Sequence, residues 1–320
     1  VLKSVKELLK EAGTECPVSI EAMAVTSLGE SVVCLGENDE VLTNSMLTGD
    51  CRGIAETREV IETLGAERIF ETTGLPPNEL YGLPKYMWLN RNTDAVKRAK
   101  AILYYEDFVG YILTGQRKVS YSSAARSMAF DIRKFTWASD FLALAGIRTE
   151  QMSEPVAPFT VIGTILPEMA EELGLNREIK LVAGGHDQTC AALGSGLLHM
   201  QEAEVGMGTC EFMFTMLPEA KMTPYMFEND FTCIPYVFPG TYLSSIEVTT
   251  CGALKNWARD VIFRDILEKC MERKENFFVC MDAMASEVKT EVLVLPQFGS
   301  SGNPNLSMDA RGTILSLIHI

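Results

Sequence analysis

Residues 178–196 read EIKLVAGGHDQTCAALGSG, and this stretch decides the fold class. Residues 178–183 form a short apolar run, which predicts a buried strand, and the small residues 189–196 predict a helix. The two glycines between them let the backbone turn sharply and approach a ligand closely. Ligands of open α/β sheets bind where such strands end, so Asp187 is a candidate functional residue. The alternative is that Asp187 is a helix N-cap, a position that aspartate favours.

Strands and helices alternate along the rest of the chain, which indicates the α/β class. Further strands are predicted at 18–26, 31–36, 40–47 and 291–296, and residues 116–137 are predicted to be loop with a short strand. Helices are predicted at 1–12, 53–64, 141–145 and 167–173, over most of 83–114, and as one long helix at 274–288. A new strand hairpin begins after residue 196, so we expect a domain boundary near that residue.

The composition excludes several classes of protein. The sequence has 320 residues, 47% of them hydrophobic and 22% charged, which is enough for a sizeable core and excludes a mainly disordered chain. Its 28 Lys and Arg against 43 Asp and Glu give a net charge of −15, which repels nucleic acid and anionic membrane surfaces. No run of about 18 apolar residues occurs, so no transmembrane helix is predicted. We expect a cytoplasmic protein.

The nine cysteines do not suggest a disulfide framework. Their number is odd, their spacing is wide, and no C-x-x-C pattern occurs. The three histidines are not at ligand spacing from any cysteine pair, so the pattern also argues against a zinc site and predicts no metal ligands. Reduced, mostly buried thiols are expected.

Two other segments contain candidate binding residues. Gly208 and Thr209 lie at a turn between two predicted strands, where backbone N–H groups and a hydroxyl can bind a phosphate; the alternative is an ordinary hairpin turn. The other segment follows the strand at 18–26 and includes a downstream loop. Its candidates for binding a polyhydroxy ligand are Gly29, Glu30, Asp50 and Arg52. The alternative is solvated loop charge with Asp50 as a helix N-cap.

The order of these pieces resembles the FGGY family of carbohydrate kinases. The matching segments are AVTSLGES (24–31), LTGDCRG (47–53), YEDFVGYILTG (105–115), SYSSAARSMAFD (120–131), VIGTILPEMAEELGL (161–175), GGHDQTCAALGSG (184–196), GMGTCE (206–211), CGALKNWARD (251–260) and LPQFGSSGNPNLSMDARGTI (295–314). They span nearly the whole chain, and within the family they are most similar to the xylulokinase branch. The resemblance implies the α/β, actin-like ATPase or sugar kinase (ribonuclease H-like) fold, in incomplete form.

The resemblance also implies a function. Members transfer the γ-phosphoryl group of ATP, with Mg²⁺, to a hydroxyl of a small sugar or polyol. Asp187 matches the general base, Gly208 and Thr209 match a nucleotide phosphate-binding turn, and Gly29 and Glu30 match a substrate-contacting loop. Asp50 and Arg52 lie in the matching second loop. A homodimer is a further expectation.

The sequence departs from the family at both ends. The family's D-x-G-T phosphate loop is absent, and so is a Gly-rich adenosine-binding loop. We therefore expect residues 1–196 to be the sugar-binding domain without its first strands, and residues 197–314 to be the beginning of the nucleotide domain. Residues 315–320, LSLIHI, resemble translated sequencing-adapter DNA.

Two hypotheses about function follow from these departures. In the first, the parent protein is a kinase of which this chain is an inactive fragment. In the alternative, it is a non-catalytic sugar-binding or regulatory protein on the same fold.

Overall fold

A computed structural model describes residues 1–208, 210–248, 250–296, 298 and 312–316. The chain forms two compact units. The first unit comprises residues 1–203 and 215–244, and the second comprises residues 204–214 and 245–320. The domain boundary near residue 196 stays a prediction. Within the described ranges, no helix is long and apolar enough to cross a membrane.

The elements alternate between strand and helix, as the sequence predicts. The strands are β1 (Ala22–Ser27), β2 (Val32–Leu35), β3 (Ala101–Tyr104), β4 (Lys118–Ser120), β5 (Phe130–Asp131), β6 (Thr136–Trp137), β7 (Glu154–Val156), β8 (Val161–Thr164), β9 (Lys180–His186), β10 (Ala203–Met207), β11 (Glu211–Leu217), β12 (Ile234–Pro235), β13 (Tyr242–Val248), β14 (Leu293–Leu295) and β15 (Thr313–Leu315). The helices are α1 (Leu2–Glu15), α2 (Ile54–Leu64), α3 (Ala66–Thr73), α4 (Gly82–Asn92), α5 (Ala95–Arg98), α6 (Tyr105–Thr114), α7 (Tyr121–Ala125), α8 (Ser139–Leu144), α9 (Pro167–Leu173), α10 (Asp187–Gly194), α11 (Pro224–Glu228), α12 (Gly252–Trp257), α13 (Arg264–Arg273) and α14 (Phe277–Ala285).

The sheet that positions the candidate site runs β1-β9-β8 in the first unit. Strand β9 is parallel to β1 and antiparallel to β8. A side chain at Gly184 would collide with the carbonyl of Val25 in β1, so only glycine lets the two strands approach this closely here. Two apolar residues of β9, Leu181 and Ala183, pack in a buried cluster with Val156 and Ile162. This packing fixes the end of β9, where Asp187 begins α10.

Smaller strand pairs complete the first unit. Strands β2 and β3 pair antiparallel, β4 and β7 pair parallel, and β5 and β6 form a short hairpin. Helix α6 packs against β1, β8 and β9. Val109 and Leu113 of this helix share a buried cluster with residues of α9 and its flanks. Strands β12 and β13 pair antiparallel later in the chain.

The predicted strand at 40–47 is wrong. The segment has one isolated bridge, between Val41 and Leu35, and otherwise no strand. Serine hydroxyls hold it beside β2 instead: Ser45 Oγ donates to the Val32 carbonyl at 2.6 Å, and Ser31 Oγ donates to the Met46 carbonyl. Side-chain bonds to backbone compete with a strand ladder, which explains why an apolar pattern here does not form one.

Two predicted helices and one predicted loop also differ from the structure. Helix α1 continues through Gly13 to Glu15, and the predicted helical stretch 83–114 contains the buried strand β3. A four-residue apolar run cannot be assigned to helix or strand by periodicity, so β3 is missed for that reason. The loop predicted at 116–137 contains the short helix α7.

The helix predicted at 274–288 is confirmed over a shorter range, Phe277–Ala285 (α14), and the separate helix α13 ends just before the predicted range. Helix α13 ends at Arg273, where Lys274 adopts a left-handed backbone with φ 56°. Helix α14 begins after Asn276, whose side chain accepts from the backbone N–H groups of Phe278 and Val279. Such a cap favours a new helix start over continuation.

The second unit also contains β14 and β15, which pair antiparallel. Leu315, the first residue of the segment that resembles adapter DNA, pairs with Leu293. Residues 317–320 of that segment lie outside the described residues.

Candidate functional site

The junction of β9 and α10 positions Asp187. His186 is the last residue of β9 and the N-cap of α10, and Asp187 is the first residue of the helix. The interpretation of Asp187 as the N-cap is therefore wrong. Its Oδ1 accepts from the backbone N–H of Gln188 at 2.7 Å. The Asp187 side chain is 45% exposed although its neighbour is buried, so a reactant can reach the carboxylate.

A buried ion pair lies beside this junction. Glu30 follows β1 and is only 2% exposed. Its Oε1 accepts from Arg126 Nε at 2.5 Å and also contacts a terminal nitrogen of the same guanidinium. Its Oε2 accepts from Thr48 Oγ1 at 3.1 Å. Burial raises the pKa of Glu30, but the charge and hydrogen bond of Arg126 act together with the other positive groups nearby and outweigh it, so the net pKa is lowered and Glu30 is ionised at neutral pH.

His186 lies between the two carboxylates. Its Nε2 is 3.8 Å from Glu30 Oε1 and 3.3 Å from Asp187 Oδ1. Burial, together with the positive charge of Arg126, lowers the pKa of His186 to about 4. The imidazole is therefore neutral near pH 7. Nδ1 is buried, and the described residues provide no hydrogen-bond partner for it.

Gly29 allows these groups to meet. A Cβ at this position would lie 2.7 Å from Cβ of Arg126 and 2.9 Å from Cδ2 of His186, which is closer than real carbon atoms approach. Gly29 therefore leaves room for Arg126 to reach Glu30. Whether Gly29 also contacts a substrate is not tested by this packing, and that contact stays a prediction.

Asp50 and Arg52 pair with each other. Arg52 Nε donates to Asp50 Oδ1 at 2.9 Å, and a terminal nitrogen donates to Oδ2 at 2.6 Å. The guanidinium lies 4.3 Å above the ring of Trp88. The hydrogen bonds from Arg52 lower the pKa of Asp50. Gly53 is the N-cap of α2, so the interpretation of Asp50 as a helix N-cap is wrong.

Lys85 connects this pair with the buried one. Its side chain is almost fully buried on α4, and Nζ donates to the carbonyls of Leu47 and Thr48, both at 2.8 Å. Burial lowers the pKa of Lys85 to about 8, although the charges of Glu30 and Asp50 act in the opposite direction. Lys85 thereby holds the loop that carries Thr48, the hydroxyl partner of Glu30.

Two buried serine hydroxyls connect the end of β9 with helix α6 by hydrogen bonds. The backbone N–H of His186 donates to Ser122 Oγ at 3.1 Å, and Ser122 Oγ lies 3.3 Å from Ser120 Oγ. Ser120 Oγ donates to Glu106 Oε2 at 2.7 Å. Burial raises the pKa of Glu106 to about 7 despite these bonds. The last residue of β9 is thus tied through two serines to a buried carboxyl on α6.

Sequence reasoning missed Arg126 and Lys85. Arg126 lies 96 residues from its partner Glu30, so no local pattern connects them. A signal existed for Lys85, since it is the only charged residue among apolar neighbours in LPKYMWL (83–89), and a lysine in such a run is buried only when it is paired.

Gly208 belongs to the second unit and lies between β10 and β11, as the sequence predicts. Its N–H donates to the Cys210 carbonyl at 2.9 Å, and its carbonyl accepts from Gly252 N at 2.9 Å. Among the described residues, a Cβ at Gly208 would have no neighbour nearer than 3.8 Å. Thr209 lies outside the described residues.

The chain has a mixed α/β fold with a charged cluster at the end of a strand, and comparison with known proteins identifies its family. Residues 1–194 match the N-terminal domain of the FGGY family of carbohydrate kinases, and the chain belongs to that family. It is 29% identical over 231 residues to the xylulose kinase of Lactococcus lactis, covering 72% of this chain and 45% of that protein. It is 28% identical over 323 residues to the glycerol kinase of Thermococcus kodakarensis, covering 99% of this chain and 61% of that protein.

Solved structures confirm the fold class. The crystal structure of the xylulose kinase from Lactobacillus acidophilus matches with a TM-score of 0.86 at 24% identity, covering 98% of this chain and 62% of that one. The chain therefore has the α/β, actin-like fold of sugar kinases, as the resemblance implies. It spans between about half and three fifths of the length of these relatives.

Proposed function

We propose that this chain supplies the sugar-binding part of an ATP-dependent kinase that phosphorylates a hydroxyl of a small sugar or polyol. The observation that carries the proposal is the half-exposed carboxylate of Asp187 at the end of β9, beside a buried and fixed set of charges. The kinase names of the relatives support the same reaction class. We place this enzyme in the cytoplasm, since all nine cysteines are free thiols.

In the proposed reaction, Asp187 acts as the general base. The acceptor hydroxyl attacks the γ-phosphorus of ATP, its proton passes to the Asp187 carboxylate, and ADP leaves with the electron pair of the broken P–O bond. His186 lies 3.3 Å from Asp187 but is neutral, so it does not form an ion pair that would weaken the Asp187 carboxylate as a base. The first turn of α10 fixes the carboxylate, because Oδ1 is bonded to the backbone of Gln188.

The sugar hydroxyls are bound by groups whose positions are already fixed. We propose that Glu30, Asp50 and Arg52 make these contacts, and that Gly29 permits the close approach. Glu30 and Arg126 hold each other, and Lys85 holds the adjoining loop, so little side-chain entropy is lost on binding. Carboxylates and a guanidinium suit a ligand rich in hydroxyl donors and acceptors.

The residues also fit a magnesium nucleotide. Mg²⁺ is usually held by one or two carboxylates together with substrate phosphates. Glu30 is already paired with Arg126, whereas Asp187 is half-exposed, so the donor set suits an ion held mainly by the phosphates of ATP. Such an ion neutralises the charge of the phosphates when bound. We assign the phosphate contact of the second unit to Gly208 and Thr209.

The experiment compares D187N with wild type in two assays. Binding of D-xylulose and glycerol to the 320-residue chain is followed by calorimetry, and ADP release is measured with the product of the complete gene. We expect D187N to lower turnover by about 10²- to 10⁴-fold. D140N, which changes an exposed aspartate on α8, is the matched control and keeps full turnover.

Unchanged turnover in D187N would remove Asp187 from the role of base. Sugar binding without ADP release by the wild-type protein would favour a non-catalytic sugar-binding relative. The implied homodimer stays a prediction, which sedimentation of the same protein tests.

A further inference from the structure

The hairpin of α13 and α14 brings two cysteines and a glutamate together in the second unit. Cys270 lies in the last turns of α13, Cys280 lies near the start of α14, and Glu275 lies in the connection between them. We propose that these three residues form a binding site for a zinc ion. The proposal is independent of the sugar site, which lies in the first unit.

The distances suit a tetrahedral ion. The two Sγ atoms and a carboxylate oxygen of Glu275 all lie within 4.8 Å of one another. Cys280 Sγ and Glu275 Oε2 are 3.5 Å apart. In a tetrahedral zinc site, Zn–S bonds of about 2.3 Å and Zn–O bonds of about 2.1 Å place sulfur and oxygen about 3.6 Å apart. The sulfur and the oxygen therefore need little movement to bind one ion.

Backbone hydrogen bonds of the hairpin fix the positions of the three residues. The left-handed Lys274 ends α13, and the N–H of Glu275 then donates to the Cys270 carbonyl at 2.9 Å. Asn276 caps α14, and the N–H of Cys280 donates to the Asn276 carbonyl at 3.1 Å. Each of the three candidate ligands is thus next to a fixed point of the turn, which reduces the entropy cost of assembling the site.

The ligand set selects the class of metal. Two thiolates with one carboxylate suit a borderline-soft ion such as Zn²⁺, whereas Mg²⁺ and Ca²⁺ prefer oxygen ligands throughout. Binding releases the two thiol protons to solvent, and a water completes the fourth position. Cys270 is buried, whereas Glu275 is exposed, so an ion can enter from the side of the carboxylate.

The same two cysteines could instead form a disulfide, and the structure favours the metal. A disulfide uses two sulfurs and needs no third group. In this hairpin the Cys280 thiol donates to the Glu275 carboxylate, so the carboxylate is already a direct partner of the sulfur. Replacement of that thiol proton by zinc keeps both groups paired.

The test uses Co²⁺ as a spectroscopic probe for zinc in the reduced 320-residue chain. We expect one Co²⁺ per chain, with a thiolate-to-cobalt charge-transfer band and the intense visible bands of tetrahedral cobalt, both removed by added Zn²⁺. C280S and C270S should each lose these bands. E275Q should weaken zinc affinity by more than about tenfold, since even groups outside the ligand shell are worth that much. C16S, which alters an exposed cysteine outside the hairpin, should bind like wild type.

Cys270 is buried, so C270S is checked for correct folding by circular dichroism. C280S and E275Q are the decisive variants. A rise in Tm with Zn²⁺ in wild type but not in C280S would support the proposal independently of colour. The proposal fails if no charge-transfer band forms, or if the band persists in both C280S and E275Q. It also fails if mass mapping shows a Cys270–Cys280 disulfide and the reduced protein binds no Co²⁺.

Discussion

Replacing Glu106 by glutamine should change how the stability of the protein depends on pH. Glu106 is buried on α6, where Ser120 Oγ donates to it at 2.7 Å and Asp107 is the adjacent residue in sequence. Burial raises its pKa from 4.5 to about 7. Between these two values the folded protein binds more protons than the unfolded chain, so the stability contributed by Glu106 falls as pH rises.

The magnitude follows from the size of the shift. Each pKa unit is worth about 1.4 kcal/mol, so the wild-type protein loses about 2–3 kcal/mol of unfolding free energy between about pH 5 and about pH 8 through this one group. E106Q has no proton to lose and keeps an acceptor for Ser120. We therefore expect E106Q to gain about 2–3 kcal/mol relative to wild type over the same range. Asp107, whose pKa burial also raises, contributes to both proteins and largely cancels.

The assay is urea unfolding followed by tryptophan fluorescence, because Trp137 is buried in the same unit. The quantity compared is the difference in unfolding free energy between E106Q and wild type at each pH. E62Q, which alters an exposed glutamate on α2, is the matched control and should differ from wild type by an amount that does not change with pH. A difference for E106Q that stays flat from about pH 5 to about pH 8, or that falls, would refute the reasoning.

Three further substitutions test the candidate site by urea unfolding. R126M should cost about 3–5 kcal/mol because it leaves Glu30 buried without its guanidinium, and the double variant with E30Q should recover most of that loss; no recovery would show that the pair is not coupled. G29A should cost about 1–3 kcal/mol through overpacking, whereas G49A, with open space around it, should stay within about 0.5 kcal/mol; equal effects would contradict the steric argument. S122A should cost about 1–3 kcal/mol, since the last N–H of β9 loses its buried acceptor, and an unchanged denaturation midpoint would show that this bond does not brace the strand.

The sequence predicts correctly those elements whose ends are set by residues within the element or next to it. Helix α9 is found at its predicted bounds, because Pro167 suits the first helical position and Gly174 ends the helix at φ 68°. The strand and helix around Asp187 are predicted in the right order, but β9 runs through both glycines to His186 instead of ending at residue 183, and α10 begins at Asp187 instead of residue 189. The family resemblance reaches the same fold from the order of motifs, and the solved structures confirm it.

The rest depends on partners that are distant in sequence. The pattern at 40–47 is typical of a strand, but hydrogen bonds from the Ser31 and Ser45 hydroxyls to the backbone hold the segment in another conformation. Hydrophobic periodicity does not reveal such bonds. Arg126 and Lys85 acquire their roles when separate segments meet. The spacing of the cysteines matches no common zinc motif, so the sequence predicts no metal ligands, yet a left-handed turn places the sulfurs of Cys270 and Cys280 together with a carboxylate.

The pairing of β1 with β9 has a consequence for synthesis on the ribosome. Ala22–Ser27 is translated well before its partner strand, which ends at His186. At about 5–20 residues per second, roughly 8–30 s pass between translation of β1 and translation of the end of β9. Throughout that interval the nascent chain carries an apolar strand without its partner. Synthesis from the N-terminus therefore leaves β1 open to chaperone binding until β9 is made, and slow codons between residues 27 and 180 would prolong its exposure.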